Sequence, residues 1–169
     1  MPSGAIVAGR VDQKHWLSFG TEAQLPLLFS NHPLLMSDDQ SEAVVRIGVM
    51  TENKSATSRK LGWSTLPAGY DVRVRMSGLL WPEAAQRLTN TAYLTRESKG
   101  NGQLIMFAGQ PVVRGGTKGT ARLLLNAIVY GPGRHVADVG PFAKGADAGT
   151  LAHSAASPAN RSAKALPGR

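Results

Sequence analysis

The glycine-rich run RGGTKGT, Arg114 to Thr120, is the first place where residue types and spacing suit binding chemistry. It leads into a helical pattern, and the backbone amide groups that begin a helix have no intrahelical partner. Free amides of this kind, with Arg114 and Lys118 beside them, suit an anion. The competing interpretation is a flexible connection in which Thr117 or Thr120 caps the helix.

His15 and Trp16 are the second place. They follow the strand-like run Ala5 to Val11, and α/β folds often place ligand contacts directly after a strand. A lone histidine beside a tryptophan is more often a hydrogen-bonded packing residue, so both interpretations stay open. The candidate anion or ligand contacts predicted from the sequence are therefore His15, Trp16, Arg114, Thr117 and Lys118.

Motifs for catalysis and for metal binding are missing. The chain contains no cysteine, which excludes disulfides, thiolate metal sites and a cysteine nucleophile. His15, His32 and His153 lack a carboxylate three or four residues further on, as a zinc site would need. His135 has Asp138 at that spacing, but we expect this segment to offer no scaffold. Neither a nucleophile elbow nor a phosphate-binding loop occurs, so we predict no catalytic residue and no metal ligand.

Short apolar runs of strand length dominate the first half of the chain. Ala5 to Val11, Ala43 to Val49 and the alternating Val72 to Met76 predict strands. Leu25 to Phe29 contains a proline, which predicts an edge strand or a loop. Residues 51–71 are polar and punctuated by glycine and proline, and this predicts a long loop.

The second half gives stronger signals. Pro82 to Leu88 predicts a helix, because proline and a glutamate suit its first turn. Ala92 to Glu97 and Gln103 to Ala108 predict a hairpin across the glycine-containing turn KGNG. A closing helix is predicted after Gly115 to Gly119 and ends at Gly131. We expect four apolar residues at helical spacing to pack it on the core: Leu124, Leu125, Ile128 and Val129.

Composition sets the domain organisation. A chain of 169 residues with 42% hydrophobic residues predicts a single domain, placed at residues 1–131. Residues 132–169 are basic and rich in alanine, glycine, serine and proline, which predicts a disordered tail. The net charge of +8 is spread along the chain without a cluster, so no specific nucleic-acid partner is expected. No apolar run of membrane-spanning length and no secretory signal is visible, so no membrane partner is expected.

Four segments resemble the carboxy-terminal region of bacterial zinc carboxypeptidase-like proteins. In those proteins a carboxypeptidase A-like catalytic domain is followed by a domain related to class I glutamine amidotransferases. The segments occur in the same order in both, and the resemblance covers most of residues 5–133. They are VDQKHWLSFG (Val11 to Gly20), LPLLFSNHPLLM (Leu25 to Met36), SGLLWPEAAQRLTNTAYLTRESKGNGQLIMFAGQPVVRGG (Ser77 to Gly116) and GTARLLLNAIVYGPG (Gly119 to Gly133).

The resemblance implies an α/β fold of the amidotransferase or flavodoxin-like kind, in an incomplete form. Its sheet is expected to be open and mostly parallel, with an antiparallel terminal hairpin and flanking helices. Zinc belongs to the related catalytic domain, so no cofactor is expected in this chain. Similar proteins tend to have an acidic pair and an aromatic residue after the last strand, where this chain has Gly109, Gln110 and Val113.

The resemblance also implies a function and a partner. It predicts a non-catalytic accessory domain, or a fragment, whose partner is an upstream or separate peptidase domain, in a protein that is periplasmic or secreted. Such a domain would present an apolar face and would tend to self-associate, and we expect Trp16, Phe19, Leu27 and Leu28 to form that face. The alternative is a free-standing carbohydrate- or peptide-binding module that uses the loops after Val11 and Ala108. A basic protein that binds nucleic acid weakly is a less favoured reading.

Overall fold

The structure, a computed structural model, describes residues 3–38 and 41–132. Within these ranges the chain forms mainly strands, with two α-helices and one short 3-10 helix. The elements in chain order are β1 (Ser3–Val11), the 3-10 helix (Trp16–Ser18), β2 (Gln24–Ser30), β3 (Ser41–Ile47), β4 (Val49–Glu52), β5 (Arg59–Leu61), β6 (Ser64–Leu66), β7 (Tyr70–Arg73), β8 (Arg75–Ser77), α1 (Pro82–Leu88), β9 (Ala92–Lys99), β10 (Gly102–Phe107) and α2 (Lys118–Tyr130).

The main sheet has six strands and curls into a half-barrel. Five of them follow the order β10-β9-β3-β1-β2, and β8 also pairs with β1. The first half of β1 pairs with β8, whereas its second half pairs with β3 from Gly9–Ile47 to Val11–Val45. The sheet therefore forks at β1, and its two edge strands along the main path are β2 and β10.

Every strand pairing among the described residues is antiparallel and the sheet is curled. The predicted open, mostly parallel sheet with flanking helices, of the amidotransferase or flavodoxin-like kind, is therefore wrong. Parallel neighbours need a long crossover, usually a helix, between them. Here α1 has only seven residues and α2 follows the last strand of the sheet, so neither joins two parallel strands. The coarser prediction of a mixed fold with a terminal antiparallel hairpin is confirmed.

The hairpin of β9 and β10 lies where the sequence places it. Gly100 at its turn has φ +55°, a conformation that residues with a side chain rarely adopt. Helix α1 has the predicted bounds, Pro82–Leu88. Strand β2 contains Pro26 and lies at an edge of the sheet, as proline requires.

The stretch 51–71 is not the long loop that its composition predicts. It contains the whole of β5 and β6, which form a hairpin, and parts of β4 and β7, which pair as a separate two-stranded sheet. These strands have three or four residues and largely polar, exposed side chains, so they show little hydrophobic periodicity. These segments are strands because they pair with neighbouring segments, and not because their own residues favour a strand.

Helix α2 covers one face of the sheet. It packs on the 3-10 helix and on β2, and Gly119 lies so close to Leu25 that a Cβ atom would overlap the leucine side chain. Leu25 pairs with Gly9 of β1. Successive side chains of a strand point to opposite faces, so Arg10 points away from α2.

The described residues all belong to one compact unit, Met1–His135. A second stretch, Val136–Arg169, lies outside the described residues, as does all of the predicted tail 132–169 except its first residue. In the part of the chain that is described, neither helix has the length and hydrophobicity that crossing a bilayer requires.

Candidate functional site

His15 is held by hydrogen bonds at both ring nitrogens. It lies at the start of the 3-10 helix, where its Nδ1 accepts from the backbone N–H of Leu17 at 3.1 Å. Because Nδ1 is the acceptor, the proton of the neutral ring lies on Nε2, which donates to Glu42 Oε2 at 3.1 Å. The side chain of His15 is thus fixed in position and in tautomer.

A chain of polar contacts continues from Glu42 across the sheet. The same Oε2 accepts from Arg96 Nη1 at 3.4 Å, and Arg96 Nε donates to Gln103 Oε1 at 3.1 Å. Gln103 Nε2 then donates to the carbonyl oxygen of Gly131, just after α2, at 2.7 Å. This network connects the 3-10 helix through β3, β9 and β10 to the end of α2. The sequence offers no signal for it, because its members are 27 or more residues apart from His15.

The environment of His15 lowers its pKa. Burial disfavours the charged imidazolium and outweighs the carboxylate of Glu42, which acts in the opposite direction. Trp16 lies beside it, with ring centroids 5.6 Å apart, and packs half-buried against the core. These contacts favour the packing interpretation of His15 and Trp16 over a ligand contact.

The loop before α2 is held in place by hydrogen bonds from its side chains to its own backbone. Thr117 and Thr120 both donate to the carbonyl oxygen of Pro111, at 3.3 and 2.6 Å, and neither side chain caps the helix. Arg114 adopts a left-handed backbone conformation with φ +48°, and both Arg114 and Lys118 are exposed. Among the described residues no hydrogen bond or ion pair joins this loop to His15, so the two predicted groups form separate sites.

A cavity of about 680 Å³ lies between the two edges of the curled sheet. Its lining combines Leu28 and Ser30 from β2, Phe107 from β10, and the loop that follows Ala108. Only the curl of the sheet brings these two strands together, because they are the opposite ends of the strand order. A cavity of this size is within the range of small-molecule sites.

His32 forms one wall of this cavity. Its ring packs edge-on against Phe29, with centroids 4.4 Å apart, and both nitrogens lie near backbone carbonyl oxygens, at 3.2 and 3.4 Å. Gly109 allows the ring to approach, since a Cβ atom there would lie 2.7 Å from Cδ2 and Nε2 of His32. Tyr93, whose pKa burial raises to about 12, donates to the carbonyl oxygen of Gln110 behind this wall. The sequence gives no signal for His32, because its neighbours are a phenylalanine ring and backbone carbonyl oxygens rather than a carboxylate at metal-ligand spacing.

The outward side of α2 carries three large apolar residues beside the exposed Arg122. Leu125, Ile128 and Val129 are 48%, 63% and 57% exposed, and their spacing places them side by side. Phe19 is 48% exposed and contacts Tyr130 edge-on, with centroids 6.4 Å apart. We call Phe19, Leu125, Ile128 and Val129 the α2 apolar face.

The inward face of α2 explains this arrangement. Asn126 is 1% exposed, and its Nδ2 donates to the carbonyl oxygens of Leu17 and Phe19 at 2.7 and 2.8 Å. Thr120 and Leu123 are buried beside it. The amide of Asn126 fixes the rotation of the helix about its axis, so the expectation that Leu125, Ile128 and Val129 pack on the core is wrong.

The other predicted apolar face is also corrected. Leu27 is fully buried, and Trp16 and Leu28 are half-buried, so only Phe19 of the four residues is exposed. Large exposed apolar side chains thus lie on α2 rather than on β2, and others lie outside both elements, at Met36, Trp63, Leu79 and Trp81. Among residues 3–38 and 41–132, no group of three or more histidine, aspartate or glutamate side chains is placed to hold a metal ion.

Comparison of the chain with protein-family models, with curated proteins and with solved structures finds no match in any of the three.

Proposed function

We propose that this chain is a non-catalytic accessory domain of a zinc carboxypeptidase-like protein, and that it packs on the catalytic domain through the α2 apolar face. The peptidase activity and its zinc then reside in that other domain. The observation that carries the proposal is the exposure of Leu125, Ile128 and Val129 on a helix whose polar Asn126 faces inward. The sequence resemblance supplies the identity of the partner.

Physical chemistry favours a covered surface at this helix. Leu125, Ile128 and Val129 lie close together on one helix, and clusters of exposed apolar side chains mark contact surfaces more often than single exposed residues do. Rotating α2 to bury them would leave the carbonyl groups of Leu17 and Phe19 without the donors that Asn126 supplies. The alternative way to remove these side chains from water is a neighbouring domain.

The first test is the intact mass and the amino-terminal sequence of the natural gene product. The proposal expects a product well above the 17.9 kDa of this chain, with a zinc-binding motif in the additional part. A natural product of 17.9 kDa that begins at Met1 would overturn it.

The second test examines the face itself, in the longer product. Ile128→Lys with Val129→Lys should loosen the contact between domains and raise hydrogen exchange in both, because a charge on each residue opposes burial. Leu104→Lys is the matched control. Leu104 is 46% exposed on β10 and, by strand alternation, points away from the side chain of Gln103, which reaches the end of α2. Equal effects of the two variants would contradict the proposed contact face.

The cavity between β2 and β10 favours a second candidate function, a module that binds a carbohydrate or a peptide. Its lining brings Ser30, His32 and Gln110 together with the apolar side chains of Leu28 and Phe107. Screening the purified chain by NMR against short saccharides and peptides tests this function. Binding that shifts the His32 signals would support it, and a screen without saturable shifts would remove it.

A further inference from the structure

Two arginine side chains lie next to each other on the sheet face opposite α2. Arg10 of β1 and Arg46 of β3 are directly opposed in the antiparallel register. Side chains at such positions share a face and have Cβ atoms about 5 Å apart, and like charges placed there repel each other. A sheet that keeps two guanidinium groups at this distance has an excess of positive charge at one point.

Both guanidinium groups converge on Asn90, which follows α1. Arg10 Nη2 donates to the side-chain oxygen of Asn90 at 3.1 Å, and Arg46 Nη1 donates to its backbone oxygen at 3.1 Å. Arg46 Nη2 donates to Ser37 Oγ at 2.6 Å. All of these acceptors are neutral. Each guanidinium has five N–H groups, so donors remain on both after these bonds.

No carboxylate within residues 3–38 and 41–132 lies at salt-bridge distance from either arginine. The ion pairs in those ranges involve other residues. Arg46 is half-buried, and its pKa is lowered by burial and by the charge of Arg10. The described residues therefore supply no negative charge that balances these two arginines.

A cavity of about 170 Å³ opens beside Arg10. Ser64, Thr65, Thr89 and Asn90 supply polar groups to its wall, and the rest of the lining is largely apolar. One water occupies about 30 Å³ of liquid, so the cavity has room for about five waters or one small polyatomic anion.

Two of the last four carbonyl groups of α1 are occupied by hydrogen bonds. Carbonyl groups at a helix carboxyl end carry partial negative charge. The carbonyl oxygen of Ala85 accepts from the backbone and the hydroxyl of Thr89, and that of Leu88 accepts from the backbone and the hydroxyl of Thr91. These carbonyl oxygens are thereby occupied.

We propose that Arg10, supported by Arg46 and Asn90, binds a small oxyanion of the carboxylate or phosphate class in this cavity. An arginine fork recognises both groups through paired hydrogen bonds, and partial burial strengthens them. This site is independent of the proposed accessory role, because it lies on the sheet face opposite the α2 apolar face.

The test is a titration of the full chain, labelled with ¹⁵N, against inorganic phosphate and separately against acetate, with chloride at matched ionic strength as the reference. We expect saturable shifts of the Arg10 Nε and Asn90 side-chain signals with at least one of the two anions. The anion that saturates identifies the class of ligand. If the shifts with phosphate and with acetate are no larger than those with chloride, the proposal is overturned.

Variants distinguish anion binding at a specific site from a general effect of positive charge. Arg10→Gln should weaken binding about tenfold or more, because it removes the fork that contacts the anion. Arg75→Gln removes the same charge from an exposed position of β8 in the same sheet and should change the affinity less than about twofold. If Arg10→Gln does not fold, Arg10→Lys keeps the charge without the fork and should also bind more weakly. Equal losses in the Arg10 and Arg75 variants would refute the site.

Discussion

Replacing Asn126 by alanine is expected to lower the free energy of unfolding by about 2–4 kcal/mol. The side chain is 1% exposed and makes two short hydrogen bonds, to the carbonyl oxygens of Leu17 and Phe19. These bonds join α2 to the 3-10 helix and set which side of α2 faces the sheet. The substitution therefore tests the orientation from which the α2 apolar face follows.

The magnitude follows from the two acceptors. The Leu17 carbonyl is buried, and leaving it without a donor costs about 1–3 kcal/mol. The Phe19 carbonyl is partly buried and regains water, so its lost bond contributes about 1 kcal/mol. Domains of this size are stable by about 5–15 kcal/mol, so the variant should remain folded but with a clearly lower midpoint.

Urea denaturation at 25 °C, followed by far-ultraviolet circular dichroism, measures this change. The control is Leu125→Ala, which removes a larger apolar side chain one residue away but from the exposed face. It should cost less than about 1 kcal/mol. If Leu125→Ala proves as costly as Asn126→Ala, α2 presents its apolar side to the core and the reasoning is refuted.

Asn126→Asp gives an independent check. An ionised carboxylate accepts hydrogen bonds and donates none, so it faces the carbonyl groups of Leu17 and Phe19 with repulsion. We expect this variant to be at least as unstable as Asn126→Ala at neutral pH. Its stability relative to the alanine variant should rise on acidification, when the carboxyl gains a proton that it can donate.

Further predictions concern Tyr93, His15 and Gly109. Tyr93 should ionise near pH 12 in a spectrophotometric titration, and this late phase should be absent in Tyr93→Phe. Because unfolded tyrosine ionises near pH 10, the contribution of Tyr93 to stability should be lost as the pH rises from about 10 to about 12. Glu42→Gln should lower the pKa of His15 further, measured by NMR titration of its ring protons, and a rise would show that Glu42 does not face it. The lowered pKa of His15 also predicts that its contribution to stability falls as the pH drops below about 6.5. Gly109→Ala should displace the ring of His32 and lower stability by about 1–3 kcal/mol, and an unchanged melting temperature would contradict the close approach of that ring.

Local chemistry determined several elements of this protein. Pro82–Leu88 is a helix because proline suits its first turn, and β9 and β10 form a hairpin because Gly100 turns the chain between two β-forming runs. β1 is a strand because apolar residues dominate it. Each of these features depends on residues that are close together in the sequence.

Tertiary structure decided the rest. The antiparallel order of the sheet, the cavity between β2 and β10 and the pair of Arg10 and Arg46 all depend on residues far apart in the sequence. The side of α2 that faces the sheet also depends on distant partners, because Asn126 donates to carbonyl groups 107 and 109 residues away. Helical spacing shows that a helix has an apolar side, but only the hydrogen bonds of its polar side decide whether that apolar side faces the core or the outside.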